Sequence, residues 1–454
     1  MKKISLAIEI LFLLGFSQTY GQTPRKTLWL GGGTSLTSPR WSSAIDQAKA
    51  ESFKFDQVNT WQYYNDTNAK GIQDWAQQFN TQMANAGQTD VLGIGHDAGG
   101  LILRYMAQLQ SNNGLNAMIL DGVPNQGGAV FNHLTSKGDG AQSDAQRLLN
   151  LALSYKPESK NCTTCRNIEA TQSYIDYFTL PSKKDYFDQL KPGSPVITNL
   201  QTPTIPYAVI WGNENDDALG LTRLMSSWYN SGILGWDYEY LDCMRRELDQ
   251  RYLTENQNFA IGTLHAIAGL AGATAKFKMT KPQGAEAVIV ETFEAFVAGI
   301  RNLFDIKNKY QEILRCEFVH QALNGSWAFM NFPYTKVTTS IMVPTCFGLV
   351  NCDDCWTKYN ANKDDQVFGN CLSVCSTDLL CDGYTNQTLT YLVPEPNDAL
   401  YTKTEQTLAG AAKTYEAKGC NHMQESFWSY DPIKDAFTDL FFGGAGAAFV
   451  VPKN

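Results

Sequence analysis

Long runs of one charge sign are missing from this 454-residue chain, whose net charge of −9 is spread along its length. That leaves no basic surface for phosphate backbones or anionic membranes, so nucleic acid is not an expected partner. No internal repeat or low-complexity tract is present, which argues against a solenoid or fibrous array. Histidine is scarce, at five residues, and any imidazole chemistry therefore has few candidates. A membrane span needs about 20 consecutive apolar residues. The N-terminal apolar stretch is shorter, and in the Ala-, Gly- and Leu-rich segment from Phe259 to Phe277 the span is interrupted by Gly262, His265, Gly269 and Gly272.

What is present fits a globular protein: 43% hydrophobic residues, of which the aromatics make 12% of the chain, are enough to bury a sizeable core. Lys2 and Lys3 precede an apolar stretch from Ile4 to Phe16 that Glu9 interrupts and that ends in small and polar residues, the pattern of an export signal cut after Ser17 or Gly21. No transmembrane segment is expected in the mature chain, and a secreted or otherwise oxidising location is. Eleven cysteines agree with that compartment. Cys162 and Cys165, Cys352 and Cys355, and Cys371, Cys375 and Cys381 are clustered, and disulfides are favoured over zinc because no histidine accompanies either close pair. The cysteine-rich region from Cys346 to Cys381 is expected to be cross-linked.

Short apolar runs at Thr27 to Leu30, Val91 to Ile94, Ala117 to Leu120, Tyr207 to Trp211 and Thr414 to Ala417 alternate with helical patterns. This predicts a mostly parallel sheet with helices on both faces. Leu101, Ile102, Tyr105, Met106 and Leu109 make the helix that follows the second run. Between residues 221 and 375 the pattern becomes helical, with Ile289, Phe293, Phe296, Val297, Ile300, Leu303 and Phe304 on one face. The expected organisation is a signal peptide over 1–21, a core over 22–220 and 376–454, and a helical, disulfide-bearing insertion or cap over 221–375.

The sharpest signal is Gly95-His96-Asp97-Ala98-Gly99-Gly100 between a strand and a helix. A tight turn there pushes residue 97 into an exposed, strained position and sets the amide of Ala98 at a helix N-terminus, facing any developing negative charge. The segment resembles the Gly-His-Ser-x-Gly-Gly elbow of the lipase and esterase branch of the α/β-hydrolases, with Asp97 in place of the nucleophilic serine. Leu30-Gly31-Gly32-Gly33 with Trp41 resembles the loop that supplies the other oxyanion amide. Asp121 to Gly128 and Lys191 to Pro195 are similar to later stretches of that family. The resemblance implies an α/β-hydrolase fold, an oxyanion hole from Gly32, Gly33 and Ala98, and a possible lipid or ester ligand. It implies no cofactor and no metal.

A triad on this fold runs in the order nucleophile, acid, histidine. His422, after the last apolar run, is the expected general base, since His96, His133, His265 and His320 fall elsewhere. Asp382 is the expected acid, by its likeness to an Asp-Gly loop of lipases, with Asp216 and Asp217 as alternatives past the Tyr207 to Trp211 strand. Carboxylate attack on an ester yields a mixed anhydride that the expelled alkoxide re-attacks, so an Asp-His-Asp constellation should be weak or silent on esters. Epoxide hydrolases and haloalkane dehalogenases use an aspartate on this fold, although Ala98 stands here where they carry tryptophan. Three readings stay open: a lipase-like hydrolase of altered route, a hydrolase of epoxides or alkyl halides, and a non-catalytic binding or assembly protein.

Overall fold

The computed structural model describes residues 23–32, 40–62, 71–109, 114–135, 142–146, 150, 172, 175–214, 220–221, 224, 327–328, 331–346 and 381–453. The signal segment, Gly33, Asp216, Asp217, both close cysteine pairs, Cys371 and Cys375, and the helices expected near 259–277 and 289–304 lie outside them. The chain divides into two compact units, one from 1–131, 181–215 and 401–454, the other from 132–180 and 216–400. The second unit therefore extends to residue 400 rather than 375, and takes in 132–180 as well.

The first unit is built on β1 (Arg25–Gly31), α1 (Arg40–Ala50), β2 (Phe55–Gln62), α2 (Ile72–Asn85), β3 (Val91–His96), α3 (Ala98–Gln108), β4 (Leu115–Asp121), α4 (Pro181–Gln189) and β5 (Tyr207–Asn213). Each of the five expected apolar runs lies in one of its strands. In the second unit β6 (Tyr334–Cys346) pairs antiparallel with β7 (Cys381–Pro394). The last strand and helix of the first unit are β8 (Lys413–Lys418) and α5 (Asp431–Phe441).

Six strands form one sheet in the order β2-β1-β3-β4-β5-β8, and every pair in it is parallel. Parallel strands need covered crossovers, and the helices supply them. On one face Leu92 and Ile94, Ala117 and Ile119, and Ala208 and Ile210 join one cluster with residues of α1 and α5, including Trp41, Phe437 and Phe441. Trp29 is its centre, fully buried and edge-on to Trp41 at 5.1 Å. Burying a ring of about 200 Å² stabilises the fold by roughly 5 kcal/mol before entropy is counted. The alternate positions Gly93 and Gly95 face α3, where an added Cβ would lie 2.8 Å from Leu103 and 2.6 Å from the Cα of Gly100.

This is the architecture that the α/β-hydrolase resemblance implies. The strand order reverses between β1 and β3, and ligand crevices of doubly wound sheets open at the carboxyl ends of the strands at such a switch. Gly32 follows β1 and Asp97 follows β3, so both stand at that point. Among the described residues no helix is long and apolar enough to cross a membrane.

Two departures have physical causes. β2, Phe-Asp-Gln-Val-Asn-Thr-Trp-Gln, is too polar to register as an apolar run, because it lies at one end of the sheet, where an edge strand is not buried on both faces. Within the expected helical insertion, β6 is a strand, as its Thr- and Val-rich sequence favours. β7 pairs with β6, so residues 381–394 join the second unit rather than the unit that holds the parallel sheet.

Candidate active site

Asp97 follows β3 directly and precedes α3, with φ 55° and ψ −132°. A non-glycine residue at positive φ costs on the order of 1–3 kcal/mol and persists only where its surroundings enforce it. Here the Asp97 amide donates to the Asp121 carbonyl at 3.2 Å and the Gly100 amide to the Asp97 carbonyl at 3.0 Å. The turn closes against the neighbouring strand: a Cβ at Gly99 would lie 2.3 Å from the Leu30 carbonyl oxygen. The strand, elbow and helix form as the sequence predicts, and the α3 N-terminus presents the Ala98 amide.

The turn is strained as expected, but residue 97 is buried rather than exposed: the Asp97 carboxylate is 1% exposed, and its two oxygens meet different partners. The Tyr401 hydroxyl donates to Oδ1 at 2.9 Å. Oδ2 lies 3.8 Å from His422 Nε2. Gly32 borders the same carboxylate, since a Cβ there would meet Oδ2 at 2.3 Å.

His422 follows β8, as its chain position suggests, and is fully buried. Its Nδ1 lies 3.1 Å from Oε2 of Glu425, which is equally buried. The carboxylate on the far side of the imidazole is thus Glu425, where the sequence reading expects Asp382. Asp382 stands in β7 of the second unit with its side chain outside the described residues. Local geometry explains Glu425: the Asn421 side chain accepts from the amides of Met423 and Gln424, and the Glu425 amide donates to the Asn421 carbonyl. That turn brings residues 422 and 425, three apart, onto one side. A His-x-x-Glu spacing was the available signal, and the family's chain order, with the acid before the histidine, directs attention away from it.

Two further groups escape the sequence reading. His96 stacks on His422 with ring centroids 4.6 Å apart, its Nε2 lying 3.0 Å from the His422 carbonyl and 3.8 Å from Glu425 Oε2. Tyr401 sets its ring edge-on to His422 at 4.9 Å. A buried network holds that tyrosine: Gln406 Nε2 donates to the Tyr401 carbonyl, Gln406 Oε1 accepts from the Gly212 amide, and Asn125 Nδ2 donates to the Gln406 carbonyl. Arg104 completes it, donating to the backbone and side-chain oxygens of Asn125 and to the Gln201 carbonyl. Burial pushes its guanidinium down to about 10, so it stays charged at neutral pH.

Gly122 is the tightest point beside the pair. Its φ is +56°, and a Cβ would lie 2.1 Å from Glu425 Oε2 and 3.2 Å from His422 Nδ1. Gly122→Ala combines a left-handed backbone penalty of roughly 1–2 kcal/mol with overpacking of roughly 1–3 kcal/mol. Chemical denaturation of that variant should show a loss of about 2–5 kcal/mol. An unchanged midpoint would mean that Glu425 does not sit against this glycine.

No protein-family model matches the sequence. No curated protein matches it either. Among solved structures the chain is similar to Aspergillus fumigatus lipase B, at 12% identity and a TM-score of 0.26, over 43% of this chain and 39% of that one. It is also similar to the esterase RhEst1 from Rhodococcus sp. ECU1013, at 13% identity and 0.26, over 42% and 72%. A Bacillus megaterium epoxide hydrolase matches at 13% identity and 0.23, over 42% and 76%. The chain thus spans well under half of the lipase.

The chemistry the site offers follows from its own atoms. A carboxylate at the elbow is flanked by a phenol on one oxygen and a carboxylate-backed imidazole on the other. The Ala98 amide stands at the N-terminus of α3, and Gly32 borders the Asp97 carboxylate.

Proposed function

We propose that this chain is an α/β-hydrolase-fold enzyme that opens epoxides through a covalent ester on Asp97. One observation carries the reading: Asp97 holds an acid, the Tyr401 phenol, on Oδ1 and the His422–Glu425 pair beside Oδ2. Asp97 attacks a saturated ring carbon, the carbon–oxygen bond breaks, and the ring oxygen takes the Tyr401 proton. The product of that step is a hydroxyalkyl ester. His422, oriented by Glu425, then removes a proton from water as the water attacks Cγ of Asp97. The amides of Ala98 and the Gly32 loop receive the oxyanion. The expelled alkoxide takes the proton from His422, and the carboxylic acid left on Asp97 returns its proton to the Tyr401 phenolate beside it. Epoxide and water become a diol, and every group is restored.

An alkyl halide could be attacked in the same way, but its leaving group needs no phenol. An ester substrate fits worst, because the anhydride formed on Asp97 reverts. The test is the purified full-length protein on simple epoxides beside short and long acyl esters, with diol formation as the supporting result. A non-catalytic reading draws on a different observation, the burial of Asp97, His422 and Tyr401 to 1% exposure or less. Inertness on all substrates would favour that reading.

We further propose that the chain is exported. The basic and apolar N-terminal segment and the cysteine content support this. The β6–β7 register, which shifts between Thr345 and Cys346, also pairs Cys346 with Cys381, and Cα atoms paired across an antiparallel ladder fall in the range a disulfide spans. Peptide mapping without reduction should return Cys346 and Cys381 in one linked pair. Recovery of both as alkylated thiols from protein purified under air would count against export.

A further inference from the structure

We propose that His96, His422 and Glu425 form a site for a divalent transition ion of the zinc class, with Asp97 as its outer partner. The inference is separate from the hydrolase reading and is tested without turnover.

Two imidazoles and one carboxylate are a donor set suited to zinc and its neighbours, with a fourth position left for water. Here one coordinating atom from each residue lies within 4.8 Å of the others, and all three residues are buried. Bonds of about 2.0–2.1 Å at tetrahedral angles place ligand atoms roughly 3.3–3.5 Å apart. Oε2 of Glu425 lies 3.1 Å from His422 Nδ1 and 3.8 Å from His96 Nε2. The two imidazoles are stacked with centroids 4.6 Å apart, so closing around an ion requires the rings to rotate until their in-plane nitrogens converge.

A second observation points the same way. Histidines that bind metal through one ring nitrogen commonly donate the other N–H to a carboxylate, which fixes the ring. Coordination at Nδ1 of His422 leaves the proton on Nε2, and Asp97 Oδ2 is the carboxylate beside it, itself held by Tyr401. The substitution of serine by aspartate at the elbow supplies that outer partner.

Binding has a cost, because His96 Nε2 must exchange its contact with the His422 carbonyl for the metal and carry its proton on Nδ1. The metal-bound form is also a resting form, since an imidazole ligated at Nδ1 and protonated at Nε2 cannot accept a proton from water.

The test is titration of chelator-treated, full-length protein with Zn²⁺, by calorimetry and by metal analysis after desalting. The expected result is one ion per chain that His96→Ala no longer retains. Asp97→Asn should bind on the order of 10–100-fold more weakly, as outer-partner losses do. No retained ion in the wild type would overturn the proposal. So would an ion retained equally by His96→Ala and Glu425→Gln, which would place it on the cysteines. Should the variants fail to fold, the wild-type Co²⁺ spectrum decides. Thiolate-to-metal bands would contradict the site, and a stoichiometric spectrum without them would support it.

Discussion

Asp97→Asn is expected to lower epoxide hydrolysis by on the order of 10⁴-fold, with far less change in KM than in kcat. Asparagine keeps the shape of the side chain and can still accept from Tyr401, so the elbow at φ 55° should persist. What it lacks is the anionic oxygen that forms the ester. Asp97→Ser should behave in the opposite sense on a different substrate, gaining hydrolysis of simple esters over a wild type that is slow on them. Serine gives an acyl-enzyme that water can cleave. The gain depends on the Ala98 and Gly32 amides receiving the oxyanion. Brisk ester turnover by the wild type that disappears in Asp97→Ala would show that the carboxylate attacks carbonyls after all.

Glu425→Gln should reduce kcat by about 10²–10⁴-fold, whereas Asp382→Asn should leave it within about twofold. An acid on the far side of a catalytic imidazole holds the ring's orientation and tautomer and stabilises its charged form. At Nδ1 of His422 that atom is Glu425 Oε2, 3.1 Å away. Glutamine can offer either its oxygen or its amide there, and the amide would present a second donor to a ring nitrogen that should itself donate. Steady-state kinetics of the two variants on the best epoxide separate the assignments. A large loss in Asp382→Asn with little in Glu425→Gln would restore the acid that the sequence pattern favours.

The central strands β1, β3, β4 and β5 were legible because they are largely buried and read as apolar runs. β3 is buried at every position. β2, at the edge, was not, since a strand there need not be apolar. The elbow was legible because close backbone approach demands small residues at fixed offsets, as at Gly95 and Gly99. The positions of Asp97 and His422 were legible because Asp97 follows β3 directly and His422 lies in the loop after β8. Glu425 was passed over because its local signal, a His-x-x-Glu spacing on the turn that Asn421 makes, runs against the family's chain order. Tyr401 was not legible, because a network reaching from α3 through Asn125 and Gln406 fixes it. Contacts of that kind between distant segments leave no spacing to read.

The most direct measurement is intact-mass analysis of His422→Gln after incubation with an epoxide. Without its base the enzyme should form the ester and fail to cleave it. The predicted result is a gain of one epoxide mass per chain, mapped to the peptide bearing Asp97 and absent in Asp97→Asn. An unmodified chain, together with wild-type protein that makes no diol, would contradict the account.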